Sequence, residues 1–173
     1  MHVIQEITDR EIFHSPRQLL SPSTWDTRES VRAVVTGGNG RIALLRLKAF
    51  ATHKLPGGGI EAGESIDRAL SRELMEEIGC AVQDVRELGV AVERRYGSGL
   101  IQISYGFIAR QTGKTRQPSP SESERSQGSE VIWANGIAEA ISLIDRDAPD
   151  NYAGKFVRLR DLSLLKAART YLA

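Results

Sequence analysis

The sequence predicts an α/β fold, a sandwich of layers. Three observations carry that reading. β-branched and apolar runs recur between Gly/Asn-rich clusters, helical periodicity is confined to a few separate segments, and neither pattern repeats at a fixed interval. The chain has 173 residues, 40% apolar and 26% charged, which excludes a composition too polar to form a core and suits one domain spanning 1–173.

The elements follow in order. Val3 to Ile7 predicts a short strand, after which Ser15-Pro16 and Ser21-Pro22 punctuate the chain. Val31 to Thr36 is β-branched and apolar, Gly37-Gly38-Asn39-Gly40 turns it, and Arg41 to Leu47 resumes with Ile42, Leu44 and Leu45. These two runs read as a hairpin. Leu55-Pro56-Gly57-Gly58-Gly59 reads as a loop, because three consecutive glycines suit no element interior. Ser65 to Ile78 predicts a helix with Ser65 as N-cap, Asp67 in the positive first turn and Gly79 as terminator. Its Ile66, Ala69, Leu70, Leu74 and Ile78 recur at helical spacing. Val82 to Glu93 and Leu100 to Ala109 predict a second hairpin around Tyr96-Gly97-Ser98-Gly99. Gln111 to Ser129 is polar and rich in Ser, Pro and Gln, too long for a simple connection, and reads as a mobile lid. Val131 to Trp133 adds a strand, Ile137 to Ile144 a helix, and Lys155 to Leu172 a closing helix.

Charge and cysteine content exclude several classes. Lys plus Arg number 23 against 22 Asp plus Glu, so the formal charge of +1 gives no general drive toward nucleic acid or an anionic membrane. No apolar run approaches the ~18 residues of a membrane span. Met1-His2-Val3-Ile4-Gln5-Glu6 lacks the basic-then-apolar pattern of a signal peptide. Cys80 alone excludes a disulfide framework and a cysteine-rich zinc site. The expectation is a soluble cytoplasmic protein, with a homodimer left open. His2, His14 and His53 share no metal-ligand spacing, and Cys80 has no neighbouring His to activate it.

The chemistry concentrates between Gly58 and Cys80. Glu73, Glu76 and Glu77 stand at i, i+3 and i+4, so their carboxylates share one helix face, at the margin of the apolar stripe. Arg68, Ser71, Arg72 and Met75 occupy the other side. Carboxylates gathered beside a core-facing stripe repel one another and resist desolvation, a cost that a hard divalent cation such as Mg²⁺ resolves. The competing reading is a solvated acidic face paired with Arg68 and Arg72. The upstream glycines weigh against it, since Gly57 to Gly59 let backbone carbonyl or amide groups approach a metal or a phosphate. Together they point to phosphoanhydride chemistry.

At these residues the chain resembles the Nudix hydrolase family. Gly58, Glu64, Arg72, Glu73, Leu74, Glu76, Glu77 and Gly79 meet eight of the nine specified positions of the family box, and Cys80 fills the last, aliphatic one. The lead-in Leu55-Pro56-Gly57-Gly58-Gly59-Ile60-Glu61 is similar as well. The resemblance implies an α/β/α sandwich with a mixed sheet and the box on a loop and helix. It implies hydrolysis of a small nucleotide, a nucleoside diphosphate linked to another moiety, by water attack on phosphorus. Glu73, Glu76 and Glu77 would hold Mg²⁺ or Mn²⁺, with the Gly57 carbonyl as a further ligand. Glu73 or a carboxylate from a distant loop would serve as base. Arg72 would orient the acids, and Glu64 would brace the loop or join an outer metal shell; a simple ion pair fixing loop to helix is the alternative for both.

Outside the box the resemblance suggests one more Glu from the loop before the last strand, where Glu124 is favoured over Glu122 and Glu130, against a solvated loop charge. Arg46 and Lys54 flank the glycine loop and could contact phosphates. Trp25, Tyr96 and Phe107 could stack on a base, although aromatics near strands usually fill core. Tyr96 lies sixteen residues beyond Cys80, a spacing similar to that of diadenosine polyphosphate hydrolases; a nucleoside triphosphate substrate is equally open. Two other functions remain: a nucleotide-binding regulator or scaffold, which would usually have lost box carboxylates, and a hydrolase of RNA 5′ ends, which would favour a basic groove.

Overall fold

The structure is a computed structural model that describes residues 1–13, 22–113 and 115–172. His14 and Ser15-Pro16 lie outside the described residues. Seven strands form one mixed sheet: β1 (Val3–Thr8), β2 (Asp26–Thr36), β3 (Ile42–Leu47), β4 (Thr52–Lys54), β5 (Ala81–Arg95), β6 (Leu100–Thr112) and β7 (Ser129–Ala134). The helices are α1 (Asp9–Phe13), α2 (Ile66–Ile78), α3 (Glu122–Ser126), α4 (Ile137–Arg146) and α5 (Tyr152–Ala168).

Alternation along β2 builds two cores. Val31, Ala33 and Val35 face one side of the sheet with Ala43 and Leu45, where α2 covers them with Leu70, Leu74 and Ile78. Val34 faces the other side with Ile42 and Leu44, beneath Ala140 and Ile144 of α4 and Leu162, Leu164 and Leu165 of α5. Helices thus flank both faces, as an α/β/α sandwich requires.

The hairpin expected from Val31 to Leu47 is not one. β2 meets β3 only at Thr36 and Ile42; it then runs parallel to β6 along its whole length, while β3 pairs antiparallel with β7 and β4. The two strands diverge because each has a longer partner elsewhere, and the glycine segment lies along β2 in the space between. Ala33 N–H donates to the Pro56 carbonyl, Val31 N–H to the Gly58 carbonyl, and Ile60 N–H to the Glu29 carbonyl. The second hairpin is present and longer than expected, β5 and β6 joined by a 3₁₀ turn at Tyr96–Ser98. α1 and β4 were not anticipated, and β2 begins five residues earlier than its apolar stretch because its exposed polar half still pairs with β6.

The polar segment from Gln111 to Ser129 carries more order than a bare loop. Arg116 N–H donates to the Gly79 carbonyl and Ser119 N–H to the Glu76 carbonyl, tying the segment to the end of α2. It then forms α3, opened by a capping box in which the Ser121 hydroxyl accepts the Glu124 N–H and the Glu124 carboxylate accepts the Ser121 N–H.

Candidate active site

α2 is positioned by its two ends. The Ser65 side chain accepts the Arg68 N–H at the N-terminus, and Gly79 adopts a left-handed conformation (φ 64°) at the C-terminus, both as the sequence leads one to expect. The glycine loop is fixed by contact. A Cβ on Gly57 would strike the Val31 carbonyl, at a φ of +128° that side-chain-bearing residues rarely adopt, and one on Gly58 would occupy the place of the Glu73 carboxylate. The loop therefore approaches both β2 and α2 more closely than any other residue type permits.

Arg72 joins loop to helix. Its Nε and Nη2 each donate to the Glu64 carboxylate at 2.9 Å, Nη2 also reaches the Gly59 carbonyl at 2.9 Å, and Nη1 donates to Glu73 at 2.8 Å and to Glu76 at 3.4 Å. Such forked geometry suits a guanidinium and would not survive replacement by lysine. The Arg72 hydrogen bonds hold the Glu64 carboxyl down to about 2.

The three α2 acids occupy different environments. Glu76 is the most exposed of them. Glu73 is mostly buried, and that burial raises its pKa against the pull of Arg72. Glu77 is 4% exposed; its carboxylate accepts the Gly57 N–H at 2.5 Å and the Lys54 ammonium at 2.9 Å. Burial nevertheless pushes the Glu77 carboxyl up to about 8, since Lys54 only partly compensates.

Facing Glu77 is Glu124. Lys54 Nζ lies between the two carboxylates, 2.9 Å from Glu77 and 3.5 Å from Glu124. Burial works against the Glu124 charge, yet Glu77, the Ser121 N–H and Lys54 hold its pKa down to about 2. Of the three loop acids, Glu124 is the one brought to α2. Glu130 instead bonds Arg46 (3.3 Å) across β3 and β7 and Lys48 (2.7 Å), and Glu122 lies in the first turn of α3.

The weaker aromatic candidates go elsewhere. Tyr96 packs edge-on against Trp25 with centroids 5.1 Å apart, and its N–H donates to Asp9, while Phe107 is buried among the α2-side core. Cys80 is buried, and burial pushes its thiol up to about 11, consistent with packing alone. The sequence reading missed two carboxylates that fix the backbone leading into the glycine loop. Asp161 accepts the Leu55 N–H at 2.9 Å, and Asp147 accepts the His53 N–H at 2.6 Å and lies 3.0 Å from its ring Nδ1. The charged pair Arg160-Asp161 inside an apolar stretch of α5 was the available signal.

The donor set suits a hard divalent cation. Pro56 and Gly58 carbonyls are spent on β2, so backbone alternation turns the Gly57 carbonyl away from that strand; it accepts no backbone hydrogen bond among the described residues. Glu73 and Glu77 bring carboxylate oxygens into a largely dry corner where burial disfavours their charge, and Glu124 faces Glu77 there. As they stand, no three acidic, His or Cys side chains among the described residues converge as a ready-made metal cluster. Arg72 holds Glu73 and Glu76, whereas Lys54 and the Gly57 N–H hold Glu77, so the expected shared face is divided between two cationic partners.

Comparison with known proteins supplies the remaining information. A model of the NUDIX domain matches residues 26–135. The RNA pyrophosphohydrolase of Sodalis glossinidius is 38% identical over 61 residues, 35% of this chain and 35% of that protein. That of Baumannia cicadellinicola is 38% identical over 61 residues, 35% and 38% of the two chains. The chain thus spans roughly a third of the length of the curated relatives it matches. A NUDIX hydrolase from Nitrosomonas europaea superposes with a TM-score of 0.60 at 17% identity, covering 84% of this chain and 88% of that one. The solution structure of the E. coli ORF135 protein gives 0.58 at 23% identity, covering 86% and 93%. These two share the fold.

Proposed function

The chain belongs to the Nudix family, and from that premise we propose that it hydrolyses a phosphoanhydride bond in a nucleoside diphosphate linked to another moiety, by attack of water on phosphorus. The observation that carries this reading is the complete set of box carboxylates, two of them buried, closed against a glycine loop that admits no side chain. In this reading Glu73, Glu76, Glu77 and the Gly57 carbonyl hold Mg²⁺ or Mn²⁺, which when bound would neutralise the pyrophosphate and acidify water.

The chain's own residues then divide the work. Arg72 keeps Glu73 and Glu76 oriented and, through Glu64 and the Gly59 carbonyl, fixes the loop to the helix. Lys54 balances the charge of Glu77 and Glu124 and can contact a phosphate once those carboxylates engage. Glu124, ionised at neutral pH and seated beside Glu77, orients the attacking water and accepts its proton; Glu73 is the alternative base. In this reading the segment bearing Glu124 supplies this carboxylate. Arg46, paired with Glu130, and Tyr96, packed on Trp25, retain only a peripheral part in substrate binding. A cytoplasmic location is part of the same reading; among the described residues no helix is long and apolar enough to cross a membrane.

A second reading, hydrolysis at the 5′ end of RNA, is favoured by one observation: the relatives that match at 38% identity are RNA pyrophosphohydrolases. A hydrolysis screen with Mg²⁺ and Mn²⁺ over nucleoside triphosphates, nucleotide sugars, dinucleoside polyphosphates and 5′-triphosphorylated or capped RNA tests both. Turnover of small nucleotides supports the first. Turnover confined to RNA ends supports the second. Metal-dependent binding with no turnover of any of them would leave a nucleotide-binding regulator.

A further inference from the structure

β4 ends the sheet. Among the described strands it pairs with β3 alone, so its other edge faces no strand. Along an extended segment alternate N–H groups point to that edge, and each needs an acceptor. Carboxylates supply them here. His53 N–H donates to Asp147, the C-cap of α4, at 2.6 Å, and Leu55 N–H donates to Asp161 of α5 at 2.9 Å. Two residues on, Gly57 N–H donates to Glu77 of α2 at 2.5 Å. Pro56 has no N–H, so three of the four such groups from His53 to Gly57 end on acidic side chains.

Asp161 is fully buried, where a neutral oxygen would meet an amide with a smaller desolvation cost. Its charge is kept by Arg160, whose Nε donates to the other carboxylate oxygen at 2.8 Å and whose Nη1 reaches Glu93 at 3.5 Å. Such a buried pair adds little stability in its own right, because desolvation offsets its attraction. What it adds is a fixed place for one peptide, since a charged acceptor holds an N–H about twice as strongly as a neutral one. The chain carries that position onward. Leu55 precedes a proline and is restricted to extended conformations, and Pro56 has its own φ fixed. Alternation turns Leu55 into the core with α4 and α5 and sends Lys54 to the opposite face. There Lys54 Nζ meets Glu77 at 2.9 Å and Glu124 at 3.5 Å.

We propose that Asp161 is a positioning residue for the hydrolysis, assisted by Asp147 at the start of the same segment. Its carboxylate sets the Leu55 peptide and, through the strand and Pro56, two groups of the site. One is the Lys54 ammonium between Glu77 and Glu124; the other is the Gly57 peptide, whose N–H meets Glu77. The catalytic consequence rests on the proposed hydrolase function, whereas the placement of the loop does not. A displacement of about 1 Å at such groups is enough to lower a rate about a hundredfold.

The test compares Asp161→Asn, Asp147→Asn and Leu164→Ala with the wild type. Asparagine keeps the size of Asp161 but accepts only one of its two hydrogen bonds, leaving its amide to oppose a donor. Leu164 is buried in the same helix against Gly106 of β6, so its truncation loosens α5 without removing an acceptor from the loop. With a nucleotide that the wild type turns over, kcat should fall about tenfold or more in Asp161→Asn while KM stays within about threefold. Leu164→Ala should melt lower than the wild type and keep its kcat. In the metal-free proteins, amide exchange followed by NMR should show Gly57 losing protection about tenfold in Asp161→Asn, although its acceptor Glu77 is untouched, and keeping it in Leu164→Ala. Unchanged kcat or unchanged Gly57 protection in Asp161→Asn overturns the proposal, as do equal losses in Leu164→Ala. Should Asp161→Asn fail to fold, Asp147→Asn is read in the same way, with smaller losses in the same direction expected and none overturning the proposal. If the wild type turns over no nucleotide, the hydrolase reading fails and the exchange of Gly57 still decides whether Asp161 holds the loop.

Discussion

Glu77→Gln should make the metal-free protein more stable at alkaline pH while abolishing its use of metal. Glu77 is buried, and burial raises its folded-state pKa from the ordinary 4.5 to about 8. A carboxyl with a raised pKa binds more protons when folded than when unfolded. Its contribution is therefore fully present below about pH 4.5 and is lost as pH rises through about 8. At ~1.4 kcal/mol for each pKa unit, the wild type should lose about 3–5 kcal/mol relative to the Gln variant between pH 5 and pH 8. For a chain of this length that is roughly 10 °C in melting temperature. The partner Glu124, whose pKa is lowered to about 2, works in the opposite sense, with stability present above its unfolded value and lost only below about pH 4.5, outside this window. The assay is a set of thermal melts in EDTA from pH 5 to 9 for both proteins. The difference between the curves removes the other titrations. Adding Mg²⁺ or Mn²⁺ at pH 8 should restore the wild type and leave the variant unchanged. Parallel melting curves across that range would refute the reasoning, because Glu77 would then carry its charge without penalty.

Gly58→Ala should separate activity from stability: the added methyl displaces the flexible end of Glu73, so turnover should fall at least a hundredfold while stability falls by no more than about 1–3 kcal/mol, read by kinetics and melts on one preparation. Glu76→Gln should lower turnover by orders of magnitude with a nearly unchanged melt, since it loses only one long contact to Arg72 (3.4 Å), and wild-type turnover would sink its metal role. Glu124→Gln should reduce kcat more than it raises KM, because the interaction with water is made chiefly in the transition state. Glu122→Gln and Glu130→Gln should be nearly silent in the same assay; if Glu124→Gln is silent too, Glu73 becomes the base.

Local chemistry made much of this structure legible. The Ser65 cap, the Gly79 stop and the periodicity of Ile66 to Ile78 are decided within one helix, and the three glycines announce their own close approach. The strands were located by their β-branched runs, but their partners were not. Whether Val31 to Thr36 pairs with Arg41 to Leu47 or with Leu100 to Ala109 depends on which contact buries more surface, and no local pattern encodes that. The same limit applied to the site. Glu73 to Glu77 fall on one face by spacing, yet the division of that face between Arg72 and Lys54 arises only when Thr52–Lys54 forms a strand beside β3. Selecting Glu124 from three acids required the α3 cap to aim it at Glu77.

The central claim is that the box carboxylates support metal-dependent attack of water on phosphorus. The most direct measurement is hydrolysis in ¹⁸O-labelled water of whichever nucleotide the screen shows to be turned over, followed by mass spectrometry of the products for the wild type, Glu76→Gln and Glu77→Gln. The account predicts one ¹⁸O atom on one of the two phosphates released from the broken anhydride, no reaction in EDTA, and a rate at least a hundredfold lower in both variants. Equal label incorporation at equal rates in the variants, or cleavage that leaves ¹⁸O off both phosphates, would contradict it.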